Sequence, residues 1–175
     1  TTSAVVVYGG GTLSGTINDD VTVGAGYGTI IIDGADIKGT LTFGTVDTGA
    51  SIIIKDSQVT TDGGIYFGHL TNCAVVITNV VSSGVTGDMR ALWITKLAGT
   101  SFSCTGGSLH GTNAGMWITA TATNSFDAGS SMSFADVAIT SSAGNGVRFG
   151  GTVAGPVTFK GVTVTCTSAS HAALT

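Results

Sequence analysis

Seven times along the chain, apolar or small residues recur at positions x, x+2, x+5 and x+7, with two turn residues at x+3 and x+4. The copies open at Val6, Ile30, Ile52, Val75, Phe102, Met132 and Val157. Alternation with period two is the mark of a half-buried strand, so each copy predicts two short strands joined by a bend. The second turn residue is always Gly, Asp or Asn, as in Asp33-Gly34, Lys55-Asp56 and Thr78-Asn79. These are the residue types that tolerate left-handed backbone. A further apolar pair follows each copy: Val21/Val23, Leu41/Phe43, Ile65/Phe67, Leu92/Ile94, Met116/Ile118 and Val147/Phe149, with Ala172/Leu174 as a weaker last one. Each unit thus predicts three strands.

Successive units begin 24, 22, 23, 27, 30 and 25 residues apart. That spacing suits one coil of a parallel β-solenoid and is too short and too strand-rich for helical repeats or propeller blades. The expected fold is all-β: a single-domain parallel β-helix over residues 1–175, with about seven coils of 22–30 residues. Right-handed coiling is expected because parallel crossovers are overwhelmingly right-handed. Stacking at about 4.8 Å per coil makes a rod roughly 30 Å tall. No capping element is expected at either end, and an uncapped coil offers unpaired backbone groups for further pairing. Head-to-tail stacking into a filament, or membership of a longer solenoid, answers that exposure.

Composition narrows the partners. Only 9% of the 175 residues are charged, against about 25% in ordinary globular chains, and all ten acidic residues are Asp. A net charge of −4 with six basic residues argues against nucleic acid and anionic membranes. No apolar run reaches the length of a membrane-spanning helix, so no membrane insertion is expected.

Two outward columns follow from the template. The outward residue of the second strand type runs Thr22, Thr42, Tyr66, Trp93, Trp117, Arg148 and Ala173. Rings spaced by one coil suit stacking on a sugar, a partner surface, or a ladder packed under a loop. The residue between x and x+2 is Val7, Ile31, Ile53 and Val76 in the first four copies, then Ser103, Ser133 and Thr158. An outward apolar stripe marks a lateral contact, unless the N-terminal segment or a loop folds over it. The two long copies carry extra residues in Ser83–Arg90 and Thr121–Ser130, where loops on one side of a solenoid often bind.

Catalytic and metal sets are not apparent. Asp33, Asp56 and Asp136 fall at turns, and Asp19-Asp20 is the lone acidic pair. Two carboxylates supply too few oxygens for a calcium site, and no metal or cofactor is expected. His69, His110 and His171 fall in different coils. Cys104 takes an inward position, while Cys73 and Cys166, roughly 18 Å apart along the axis, leave only intermolecular pairing open.

The clearest copies, TIIIDGADI, SIIIKDSQV and VTFKGVTV, resemble right-handed parallel β-helix proteins of the pectin-lyase-like class. The resemblance implies the architecture. That class includes polysaccharide lyases and hydrolases, tailspikes, adhesins and repetitive surface proteins. None of the enzymes' residue sets is found here, so the non-enzymatic, repetitive surface type is implied. The expected function is a non-catalytic extracellular or cell-surface structural protein that self-assembles by head-to-tail stacking, or a segment of a longer surface solenoid. The alternative is a carbohydrate-binding adhesin or module using Tyr66, Trp93, Trp117 and Arg148 on a polysaccharide.

Overall fold

A computed structural model describes residues 5–7, 10–24, 28–46, 49–60, 63–84, 87, 89–119 and 126–175, with the side chains of 5–7 and 119 excepted. The described residues form no helix. In chain order the strands are β1 Val5–Val7, β2 Gly11–Ile17, β3 Val21–Val23, β4 Thr29–Ile37, β5 Leu41–Val46, β6 Ser51–Lys55 and β7 Gln58–Val59. Next come β8 Ile65–Thr71, β9 Ala74–Thr78, β10 Val81–Gly84, β11 Arg90–Ala98, β12 Ser101–Thr105 and β13 Ser108–Gly111. The last are β14 Ala114–Thr119, β15 Ser131–Ala135, β16 Ala138–Ser141, β17 Asn145–Gly150, β18 Val157–Lys160 and β19 Thr163–Cys166.

All pairings between these strands are parallel, and they build two sheets. The seven-stranded sheet runs β1-β3-β5-β8-β11-β14-β17. The twelve-stranded sheet joins two rows, β18-β15-β12-β9-β6-β4 and β4-β7-β10-β13-β16-β19, with β2 paired to β4 as well. The two rows merge because β4 continues unbroken through its bend at Gly34, where φ is +61°. Equivalent bends in later repeats interrupt the strands. There too the second turn residue is left-handed, with φ of 47° at Asp56, 52° at Asn79, 65° at Gly106, 55° at Asp136 and 64° at Gly161. Asp56 and Asn79 also share a hydrogen bond, the Asn79 amide donating to the carboxylate at 3.1 Å.

The first copy sits in a different register from the one its sequence suggests. Gly11, Leu13, Gly15 and Ile17 pair with Ile30, Ile32, Ala35 and Ile37, through an irregularity between Leu13 and Gly15. Val5–Val7 pairs instead with Val21–Val23. A run of three valines fits either phase of an alternating template, and the missing residue at the irregularity removes the cue that separates them. At the other end Leu174, rather than Ala172, bridges Val147.

The core is a set of columns. Ile30, Ile52, Val75, Phe102 and Met132 stand in register in one, and Ile32, Ile54, Ile77, Cys104 and Phe134 in another, all buried. Across both sheets runs an aromatic spine. Phe43 stacks on Phe67 at 4.8 Å, Phe67 meets Phe102 edge-on at 5.7 Å, Phe102 lies 6.0 Å from Phe134, and Phe134 stacks on Phe159 at 5.3 Å. Phe126, from the second long insertion, is fully buried and bridges Leu97 and Val153. Residues 85, 86, 88 and 121–125 of the two insertions lie outside the described residues.

The corner between the sheets is polar and satisfied. Cys73, Thr100 and Ser130 are buried one above the other; the Cys73 N–H donates to Thr100 Oγ1 at 3.3 Å and the Thr100 N–H to Ser130 Oγ at 3.1 Å. Replacing Thr100 by the isosteric Val removes the acceptor from Cys73 N–H. It is expected to cost about 1–2 kcal/mol in urea unfolding.

Asp127 ties the same corner to the insertion. Its carboxylate accepts from Ser130 Oγ at 2.7 Å and from the Gly99 N–H at 3.1 Å. The Ser130 hydroxyl first, and the backbone donors with it, hold its pKa below the ordinary carboxylate value. A carboxyl depressed in the folded state stabilises above its unfolded pKa of about 4, and loses that contribution as pH falls through the folded value. Asp127→Asn cannot make that titration. The stability gap between the native chain and this variant is therefore expected to close as unfolding is measured at successively lower pH below about 4.

Candidate functional site

The outward column of the seven-stranded sheet is in register as the alternation requires. Thr22, Thr42, Tyr66, Trp93, Trp117 and Arg148 pair in succession. Ala173 does not continue it, because the Leu174 bridge to Val147 puts Thr175 at the position beside Arg148. All six residues from Thr22 to Arg148 are half-buried. The rings adjoin in succession: Tyr66 and Trp93 centroids are 4.7 Å apart and tilted at 51°, and Trp93 and Trp117 are 6.4 Å apart and stacked at 26°.

A cation the alternating template does not find completes the ladder. The Arg90 guanidinium sits 4.4 Å from the Trp93 centroid and 4.0 Å from that of Trp117, and Arg148 lies 4.3 Å from Trp117. Ala91 and Leu92 are both buried, so the period-two alternation breaks there and Arg90 shares the outward side with Trp93. The cover over the indoles thus comes from the end of the first insertion. Cation–π contacts of this kind contribute roughly 0.5–2 kcal/mol each. Ring faces occupied by other rings and by guanidinium groups cannot also stack on a sugar. The open face is the one at the foot of the ladder, where Tyr66 stands above the much smaller Thr42. A cavity of about 200 Å³ lies there, lined by Thr40, Thr42, Tyr66, Met89, Arg90 and Trp93 over a floor of Gly63, Gly64 and Ile65.

The apolar stripe differs at its first position. Ile31, Ile53 and Val76 stand in register, followed by Ser103, Ser133 and Thr158. Val7, however, pairs with Val23, and the residue beside Ile31 is the exposed Thr12. Ile31 and Ile53 are half-buried and Val76 is 41% exposed. Three side chains spanning about 10 Å of axis fall well short of the roughly 800 Å² per partner of a stable interface.

The end of the molecule carrying the last strands is a larger apolar surface. Phe149, Val153, Val157, Phe159, Leu174 and Thr175 line an open depression of about 400 Å³, apolar throughout. Phe159 is 38% and Leu174 57% exposed. Here the core columns reach the surface: Val157 continues the Phe102–Met132 column and Phe159 the Cys104–Phe134 column. Beyond them, among the described residues, β18 pairs only with β15 and β19 only with β16, and at the opposite end β2 pairs only with β4.

The remaining polar candidates are engaged in structure. Asp20 accepts the Thr40 N–H at 2.7 Å and Asp19 accepts the Asp20 N–H at 2.9 Å. Asp33 pairs with Lys55 at 2.9 Å and Asp36 with Lys38 at 2.8 Å. His110 bonds Thr140 at 2.6 Å, and His171 bonds Ser168 and Ser170. Among the described residues no three His, Cys, Asp or Glu side chains gather around one point. None of the three cysteines forms a disulfide. Burial pushes the Cys104 thiol up to about 12, and Cys73 is sealed at 5% exposure, its thiol donating to Thr71 and Val46 carbonyls. Only the half-buried Cys166, bonded to the Gly144 carbonyl at 2.8 Å, keeps a route to a neighbouring chain. No protein-family model, curated protein or solved structure matches the chain.

Proposed function

We propose that the chain is a right-handed parallel β-helix of about seven coils, pectin-lyase-like in architecture alone, with a non-catalytic structural role outside the cell or on its surface. Its coils continue head to tail, onto the next copy or along a longer solenoid. One observation carries this reading: the aromatic spine and the two inward columns that hold Met132 and Phe134 emerge at an apolar depression, at Val157 and Phe159. Another coil of the same kind supplies what that end lacks. Its Gly11 and Leu13 are already in register with the same columns. Small Gly11 and Leu13 would face Val157 and Phe159, so the contact joins small to large rather than large to large. The strand edges that have no partner among the described residues, β2 at one end and β18 and β19 at the other, provide the backbone hydrogen bonds. Because the two surfaces differ, the contact is heterologous and does not close.

The polysaccharide-binding alternative has less support, since the ladder's ring faces are largely covered. Sedimentation of the purified chain over a range of micromolar concentrations tests the proposal. Mass is expected to rise with concentration through open-ended association, and one monomeric species throughout contradicts stacking onto the next copy.

A further inference from the structure

Among the described residues the seven-stranded sheet reaches one layer further than the twelve-stranded one. The strands β2 and β3 share the first common layer, and β18, β19 and residues 172–175 share the last, where Leu174 bridges Val147 on β17. Beyond β3 lies β1, with no strand of the larger sheet in its layer. When β2 of one copy stacks on β18 and β19 of another, its β1 arrives at the edge of β17, a place already held by residues 172–175. On the stacking of separate copies proposed above, we infer that each addition is a strand exchange: Val5–Val7 of the incoming chain displaces residues 172–175 from β17.

Register favours β1 as the final occupant. Val5 and Val7 pair with Val21 and Val23, whose columns run through the sheet to Val147 and Phe149. Placed on β17, β1 of the next copy sets Val5 beside Val147 and Val7 beside Phe149, while its other edge stays on its own β3. Residues 172–175 cover less. Leu174 stands beside Val147 but is 57% exposed, and Phe149 is left lining the open depression. The segment is held mainly through its backbone: the N–H groups of Gly146, Val147 and Phe149 donate to the carbonyls of Ala172, Ala173 and Thr175, and the Thr175 N–H donates to that of Val147. An extended segment of another chain can take over such bonds at a sheet edge. Valine favours strands where alanine is depleted, so expelling β1 instead would unpair the better strand. Keeping both segments would hold β2 a layer away from β18 and β19, out of hydrogen-bonding reach. Until a partner arrives, residues 172–175 shield an edge that is open to wrong pairing.

A reversible lock tests the exchange. Thr175 stands beside Arg148 on a neighbouring strand, about 4.8 Å away and within the reach of a disulfide, so Arg148→Cys with Thr175→Cys ties the segment to β17. Cys166→Ser in the same chain removes the half-buried native thiol. In sedimentation the oxidised chain is expected to keep the mass of a single chain at concentrations where the reduced form of the same preparation associates. Amide exchange in the native chain is independent of these substitutions. On association the Thr175 N–H should lose its protection, while those of Val147 and Phe149 keep theirs as β1 takes over. Equal association of the oxidised and reduced chains, or undiminished protection of Thr175 in the assembled native chain, overturns the exchange and leaves stacking intact. A native chain that never associates overturns both.

Discussion

Phe67→Ala is expected to destabilise the fold by about 3–5 kcal/mol, a large part of the roughly 5–15 kcal/mol available to a domain. Phe67 is fully buried and holds the spine at its turn between the sheets, stacked on Phe43 at 13° and edge-on to Phe102 at 88°. Its strand is hydrogen-bonded on both sides, to β5 and β11. Those ladders fix the spacing of the backbone, so the surrounding side chains cannot close the cavity left by the ring. Stability in stacked repeats is largely a nearest-neighbour property, so amide exchange should accelerate most in β5, β8 and β11. Urea unfolding and hydrogen exchange measure both. A loss below about 1 kcal/mol would mean that the spine is not packed as described.

Phe159→Asp is the second large effect, and it acts on association. In the free chain Phe159 is 38% exposed, so a carboxylate there stays solvated and the fold should tolerate it. In a stacked pair the same carboxylate would be buried against the next chain's Leu13 column with no cation facing it. Desolvating an unpaired ion costs several kcal/mol, which weakens end-to-end association by roughly a hundredfold or more. Sedimentation equilibrium of the native and substituted chains compares them, with circular dichroism to verify that the strands persist. Unchanged association in a folded Phe159→Asp chain would remove the apolar end from the contact.

Much of this arrangement was legible because parallel in-register strands turn a sequence period directly into columns. The left-handed turn residues from Gly34 to Gly161, the inward pairs and the outward order from Thr22 to Arg148 all follow from that rule. It fails where the period fails. Val5, Val6 and Val7 carry no alternation, so Val7 was assigned to the stripe that Thr12 occupies. Ala91 and Leu92, buried in succession, hid Arg90 from a reading that expects every second residue outside. The joining of two strand rows through β4 has no sequence mark, since Asp33-Gly34 reads as a turn like its counterparts. The aromatic spine crosses from one sheet to the other, and residue spacing within a strand carries no information about contacts between sheets. The Cys73–Thr100–Ser130 corner lies just outside the repeated apolar positions, where Ser and Thr are too abundant to single out.

Electron microscopy of the unmodified chain at micromolar concentration, with diffraction from any filaments found, tests the stacking most directly. The account predicts unbranched filaments with a meridional spacing near 4.8 Å and a longer repeat of about 34 Å, the height of seven layers. Dispersed particles of single-chain size, with and without reductant, would contradict it.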